Sequence, residues 1–422
     1  MPTTMRPAEN NRALTCIIGG GASGLAAACV LAEAGLPFVV LEKEGKAGRK
    51  LLATGNGRCN LMNISDPVFF GDTAFAHKVL AACPVAAVSG FFERIGLAWF
   101  EEEQGRAYPL SRQAATVLDS LMGAIALAPD GRVLTGCLVN GLEAGAQGFE
   151  VRTVEGRSLT AARVIACPGS PAAPRLGGGD SLMPLLTRLG HRLVPFTPAL
   201  CALQTRSAPL KGLSGLRFPA VLTLTVSGRP AEAAAGEALI TDTGVSGLCA
   251  MQLARAAGLA LCEGKKVSLV VDCSPMLGLE ETRYRRLSLK EADSRGNSLE
   301  AVMALLERRA RLAPGRDPLI GLVPRQMARK LAGWPARRAA QWLSGLELDV
   351  VGVRGFDQAQ VAAGGIDCRD INPGTLASLL VPGLHICGEA LNVDGDTGGF
   401  NLMFAWATGI LAAGQVAREL GG

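Results

Sequence analysis

LTCIIGGGASGLAAACVLAEAGLPFVVLE, residues 14 to 42, decides the architecture. Leu14 to Ile18 has the length and β-branching of a strand buried on both faces. Gly19, Gly21 and Gly24 follow at once in G-x-G-x-x-G spacing, and an alanine-rich helix runs to Ala34 before Gly35 and Pro37 stop it. A second strand, Phe38 to Leu41, ends in Glu42, 18 residues after Gly24. Gly19 allows the sharp strand-to-helix turn, Gly21 lets a pyrophosphate touch backbone, and Gly24 lets the helix pack close to the strand. The helix opens with Ala22 and Ser23, whose free N–H groups and positive dipole end suit phosphate. Glu42 stands where a carboxylate accepts hydrogen bonds from a ribose, with Lys43 beside it. Glycine turns are common, but strand, helix, second strand and terminal acid in order make a dinucleotide site. The motif does not separate FAD from NAD(P), although Glu42 disfavours a 2′-phosphate.

A second strand–turn–helix lies near the other end, in VPGLHICGEALNVDGDTGGFNLMFAWATGILAAGQVA, residues 381 to 417. LHIC is a short strand that ends at Gly388-Glu389; Gly395, Gly398 and Gly399 form a turn, and a helix begins near Asn401. Such a turn presents N–H groups to something anionic or electron-rich, and a flavin's pyrimidine edge fits that description. Between these segments lies GRKLLATGNGRCNLMN, residues 48 to 63, with almost no helix or strand pattern. On residues alone it reads as a phosphate loop, the seat of a nucleophilic cysteine, or an irregular connection.

The chain has 422 residues, 49% of them hydrophobic and 19% charged, enough for two or three globular domains. MPTTMRPAENNRALT lacks the profile of a signal peptide, and no apolar run stands out at the ~18 residues that span a bilayer. The expectation is a cytoplasmic protein without a membrane partner. Twelve cysteines are scattered without a C-x-x-C pair, and His77, His191 and His385 are the only histidines. That pattern argues against a metal site, a cluster or a disulfide framework. Residues 280 to 340 hold fourteen Lys/Arg against seven Asp/Glu, a local excess larger than the whole chain's net +5. A solvated helical face is the plain reading, and attraction of a phosphorylated cofactor or nucleic acid the sharper one.

Six blocks in order resemble the BaiN-like (YhiN-type) bacterial flavoproteins, which include aminoacetone-oxidase-like enzymes: GGGASGLAAA, GRKLLATGNGRCNLMN, GRAYPLSRQAATVLDSL, GGGDSLMPLLTRLGH, GEALITDTGVSG and GLHICGEALNVDGDTGGFNLMFAWATG. The resemblance spans nearly the whole chain. It implies an α/β fold, with a discontinuous Rossmann-like domain that binds FAD non-covalently and an inserted domain between its halves. It places 48–63 along the FAD, with Arg49 and Lys50 near the phosphates and Gly55, Asn56, Gly57 and Asn60 near the ring. It further implies cofactor contacts from Gly169, from Gly388 and Glu389, and from Gly399, Phe400, Asn401 and Leu402; Val139 is the candidate for adenine.

This chain also departs from that pattern. RVIACPGS carries Pro168 where a glycine is usual, Asp242 stands where histidine is common, and Phe400 and Met403 replace tyrosine and glutamine. The last two changes make the presumed substrate side less polar. Tyr108, Asp242 and His385 are the candidate acids, with Arg106 also within conceivable reach; Cys59 has no histidine nearby and reads as a packing residue.

The FAD domain is expected over 12–198 and 350–422, the latter opening on a Gly364-Gly365 turn, and the insert over 199–349. Runs such as AVLTLTV and KKVSLVVDC make the insert's first part β-rich; its second part is helical and basic. The expected activity is two-electron transfer at the flavin, with NADH or NADPH as transient donor and a small unsaturated molecule as substrate. The alternatives are oxygen-using amine oxidation, action on RNA, and a non-catalytic flavin redox sensor. The lack of aromatics interleaved with the basic residues argues against nucleic acid.

Overall fold

The computed structural model describes residues 13–146, 148–206, 208–279, 285–293 and 298–421. Arg283 and Arg295 of the basic segment therefore lie outside the described residues. The chain forms two compact units, one from the segments up to Phe196 and from Val361 onward, the other Thr197–Gln360.

In the first unit, β1 (Thr15–Ile18), β2 (Phe38–Leu41), β3 (Gly131–Leu134), β4 (Arg163–Ala166) and β5 (Leu384–Ile386) form a parallel sheet ordered β5-β4-β1-β2-β3. β1 is central, with Thr15 opposite Phe38 on one side and Arg163 on the other. Both β1 and β2 are buried throughout, which is why they read as continuous apolar runs. Helix α1 (Ala22–Glu33) packs against α2 (Ala114–Ala126) and α3 (Gly398–Leu420). The α1–α3 crossing is close because Gly409 lies on Ser23, where a Cβ would come 2.2 Å from the Ser23 carbonyl oxygen. By length and apolarity α3 could cross a membrane, although the sequence shows no such run, because Asn401 and Gln415 interrupt it. Here its apolar side is buried, with Trp406, Ala407, Ala412 and Ala413 inaccessible.

The second unit holds a closed antiparallel barrel. Arg217–Val226, Val267–Asp272, Leu346–Val353, Leu203–Thr205, Gly244–Ser246 and Arg229–Thr241 pair in that order, and the last pairs back with the first. Helix Leu248–Cys262 touches all six strands. Further helices among the described residues of the unit include Ser298–Leu312, Arg325–Leu331 and Ala336–Gly345. The α/β class, with a Rossmann-like unit interrupted by a β-rich and helical insert, is the one expected.

Two details differ. Leu346–Val353 is a barrel strand, so the chain returns to the first unit at Val361 and not near 350. Gly364 and Gly365 lie inside the strand Val361–Ile366 and not in a turn before it. Their φ values of +97° and +125° bring the backbone against the carbonyls of Pro195 and Ala390, an approach a side chain would block.

Candidate active site

The three glycines after β1 have separate physical roles. Gly19 has φ +108°, and a Cβ there would lie 2.2 Å from the Cys167 carbonyl oxygen. At Gly24 a Cβ would come 1.9 Å from the Gly19 carbonyl oxygen, so the helix is pressed onto the turn. Gly21 is different: nothing lies within 4 Å of the Cβ position, so this glycine keeps space open beside the start of α1. Glu42 is buried and spends both oxygens on backbone, Oε2 accepting from Gly20 N at 2.6 Å and Oε1 from Glu44 N at 2.8 Å. Its carboxylate is thereby fixed beside the glycine turn. Cys137 N donates to the Glu42 carbonyl (2.8 Å), which brings Val139, buried at the start of strand Val139–Gly145, next to the end of β2. Past β4, Gly169 has φ +72° and open space before it, and Pro168 removes a donor there. Lys43 reaches across to Gly179, where a Cβ would lie 2.6 Å from its Nζ.

The 48–63 stretch packs against the chain's other end. Arg49–Ala53 is a short helix, after which Gly55, Asn56 and Cys59 all adopt left-handed φ near +57° (56°, 56° and 58°). Turned to satisfy both neighbours, the Asn60 amide donates to Met62 O (3.2 Å) and accepts from Gly399 N (3.3 Å). Trp406 Nε1 donates to Leu61 O at 2.9 Å, and Lys50 pairs with Glu389 at 2.7 Å. Gly388 lies against Ser23, its N–H donating to Thr408 Oγ1. The loop, the start of α1 and the start of α3 therefore meet in one place. Neither cation is free: Lys50 is held by Glu389, and Arg49 is ion-paired with Glu44 and donates to the Arg175 carbonyl.

At the start of α3, no described atom lies near the Cβ position of Gly398, and the buried Thr397 Oγ1 finds no partner among the described residues. Asn401 is spent on the turn itself, bonding Gly395 N and O and Thr397 O. Phe400 and Met403 are buried in the core, Phe400 against Phe69 with ring centroids 6.0 Å apart, so neither change from the usual residue alters an open face. Leu402 is half-buried. Two helix N-termini with open space before them, an orphaned hydroxyl and a fixed Glu42 fit an extended dinucleotide with a flavin at one end.

The HI0933-like protein Rossmann domain family matches residues 13–415. The chain belongs to that family. It is the group that the BaiN-like motifs resemble, and the chain is accordingly an FAD-dependent oxidoreductase. A 3-dehydro-bile acid delta(4,6)-reductase of Clostridium scindens is 33% identical over 96% of this chain and 98% of its own length. A ribosomal RNA dihydrouridine synthase of Escherichia coli is 25% identical over 93% and 95%, and one of Haemophilus influenzae 23% over 96% and 98%. Among solved structures, the E. coli quinol fumarate reductase FrdA superposes with TM-score 0.45 at 13% identity, covering 97% of this chain and 70% of that one.

The bound FAD supplies hydride chemistry through its ring. The residues that would hold it are the backbone of Gly21 to Ser23 and Gly398-Gly399 for its phosphates and ring edge, and Glu42 for a ribose. Because Arg49 and Lys50 are already neutralised, phosphate binding would fall mainly to backbone N–H groups. FAD affinity is expected to change by less than about threefold between roughly 0.05 and 0.5 M NaCl, since screening acts mainly on uncompensated charges. A fluorescence titration of the apoprotein at several salt concentrations measures this.

The candidate acids end up in three different settings. His385 lies inside the sheet, bonded through Nδ1 to Thr375 O and influenced by Arg163 and Glu419. His385 is level with Ile165 in the sheet, but it is buried and its Nδ1 is committed to Thr375 O, so proton delivery from it has no structural support. Asp242 is an exposed residue of a hairpin turn in the second unit. Cys59 is fully buried, with burial raising its thiol to about 12, which leaves it inert as a nucleophile. Tyr108 and Arg106 are both beside the cofactor loop: the Tyr108 Cε1 lies 3.6 Å from the Cβ position of Gly55, and Arg106 pairs with Asn63. Sequence reading gives Arg58 only as a candidate positive field on Cys59; its guanidinium instead lies 4.3 Å from the Tyr108 ring centroid, and its partners, 44 and 50 residues away, are not legible from spacing.

Burial also holds His191 and His385 below the ordinary imidazole value. Below that value the unfolded chain binds more protons than the folded one, so stability is full above about pH 6.5 and is lost as pH falls through it. Thermal melts from pH 8 to 5 are expected to show this loss. A His191→Gln/His385→Gln variant is expected to show a shallower slope, whatever its absolute melting temperature.

Proposed function

We propose that the protein reduces a ring carbon–carbon double bond conjugated with a carbonyl, in a small apolar molecule, using NADH or NADPH to recharge the flavin. The observation that carries this reading is the 33% identity, over 96% of the chain, to an enzyme named for reducing such bonds in a 3-dehydro bile acid. The single dinucleotide turn after β1 supports a donor that binds transiently over the flavin, without a nucleotide domain of its own. Conjugation matters because the carbonyl stabilises the charge that hydride addition leaves behind.

A second reading keeps the chemistry and changes the substrate. Dihydrouridine is uridine with one ring double bond reduced, and two relatives are named for making it in ribosomal RNA. Arg308, Arg311, Arg325, Arg329, Arg337 and Arg338 are exposed on three helices that precede the last barrel strand. Trp334 lies among them with the Arg338 guanidinium 4.1 Å from its ring centroid, an aromatic partner for a base that the sequence seemed to lack.

The protein is reduced anaerobically with NADH or NADPH and mixed with a 3-oxo-4-ene steroid, with cyclohex-2-enone or with ribosomal RNA fragments; separately, the oxidised protein is mixed with a primary amine in air. Reoxidation by the enones supports the proposal; reoxidation by RNA alone supports the second reading. Turnover with the amine alone overturns both in favour of an oxidase.

A further inference from the structure

The surroundings of Tyr108 are built around its ring. The ring is 6% exposed and stands in strand Arg106–Pro109, paired with Trp99–Glu102. Phe100 flanks it, with ring centroids 6.3 Å apart and an interplanar angle of 33°, and the Arg58 guanidinium covers it. Arg58 is itself fixed, pairing with Glu102 at 2.8 Å; the same carboxylate takes Arg112, which lies 4.7 Å over Phe100. All this holds the ring still, while the hydroxyl bonds no described residue and is not sealed in, opening onto accessible space. An accessible O–H without a protein partner is available to bond a molecule held beside it. The strand is also tied to the cofactor loop: Met62 and Asn63 pair with Ala107 and Arg106, and Asn60 reaches Gly399.

We infer that Tyr108 is the proton donor of the reduction, and that Arg58, clamped by Glu102, is the positioning residue that holds its ring. The inference rests on the double-bond reduction proposed above. In that step the cofactor's hydride adds to the carbon β to the carbonyl, breaking the π bond. The Tyr108 O–H gives its proton to the α carbon, and the phenolate recovers a proton from solvent. Two electrons leave the flavin and the substrate gains two hydrogens. The guanidinium over the ring stabilises the negative charge left on the phenol.

The test uses the FAD-loaded protein reduced with dithionite, so that no nicotinamide is needed, and cyclohex-2-enone as probe. Tyr108→Phe keeps the ring and its packing. It is expected to slow flavin reoxidation by about 100-fold and to abolish the solvent deuterium effect on that step. Calorimetry on the oxidised protein is expected to show the enone bound about tenfold more weakly, from the lost hydrogen bond. Arg58→Met is expected to slow reoxidation about tenfold and Arg58→Lys to recover part of it. If wild-type protein reduces the enone and Tyr108→Phe matches it in rate and affinity, the inference is overturned while the function stands. If wild-type protein reduces no conjugated carbonyl, the function itself fails, and the inference with it.

Discussion

Gly21→Val is expected to give a folded protein that purifies without FAD and does not take it up. At Gly21 the backbone is extended (φ −87°, ψ −165°), a conformation valine adopts easily, and nothing lies within 4 Å of the Cβ position. Folding therefore does not require glycine there. The new side chain instead fills the space before α1, where a pyrophosphate must approach the backbone. With affinity lowered at least about 100-fold, a loss of roughly 3 kcal/mol, bound flavin is not retained through purification. Circular dichroism together with visible absorbance separates this outcome from misfolding.

Gly24→Val is expected to fail in the opposite way. Its Cβ would collide with the Gly19 carbonyl at 1.9 Å, and that atom belongs to a turn already constrained by Cys167. Relief requires α1 to lift off β1, which breaks its contacts with α2 and α3. An overpacking cost of about 3 kcal/mol lowers the melting temperature by on the order of 10 °C or leaves the chain insoluble. Thermal melts of the soluble fraction check this. Two glycines three residues apart thus divide the labour, one serving the ligand and one the fold.

The first βαβ unit was legible because its information is local. A buried strand, a glycine turn, a small-residue helix and a terminal acid follow one another within 29 residues, and each prefers its structure on its own. The convergence of residues 48–63 on 388–406 was not legible from spacing. It depends on single contacts across more than 300 residues, such as Lys50 with Glu389 and Trp406 with Leu61. The same limit hid the spent charges: Arg49 and Lys50 look like free phosphate ligands until their carboxylates are seen. His385 shows a related error, since its strand belongs to the site's sheet but its ring is buried there and bonded to Thr375 O. Closure of the barrel was also beyond reach, because alternation identifies strands but not which edges meet.

The most direct test of the central claim is the visible spectrum of the purified protein, recorded anaerobically before and after NADH or NADPH and again after a 3-oxo-4-ene steroid. The account predicts a yellow protein carrying one releasable FAD per chain, bleached by a nicotinamide and restored by the steroid without oxygen. A colourless protein that cannot be reconstituted with FAD would contradict it.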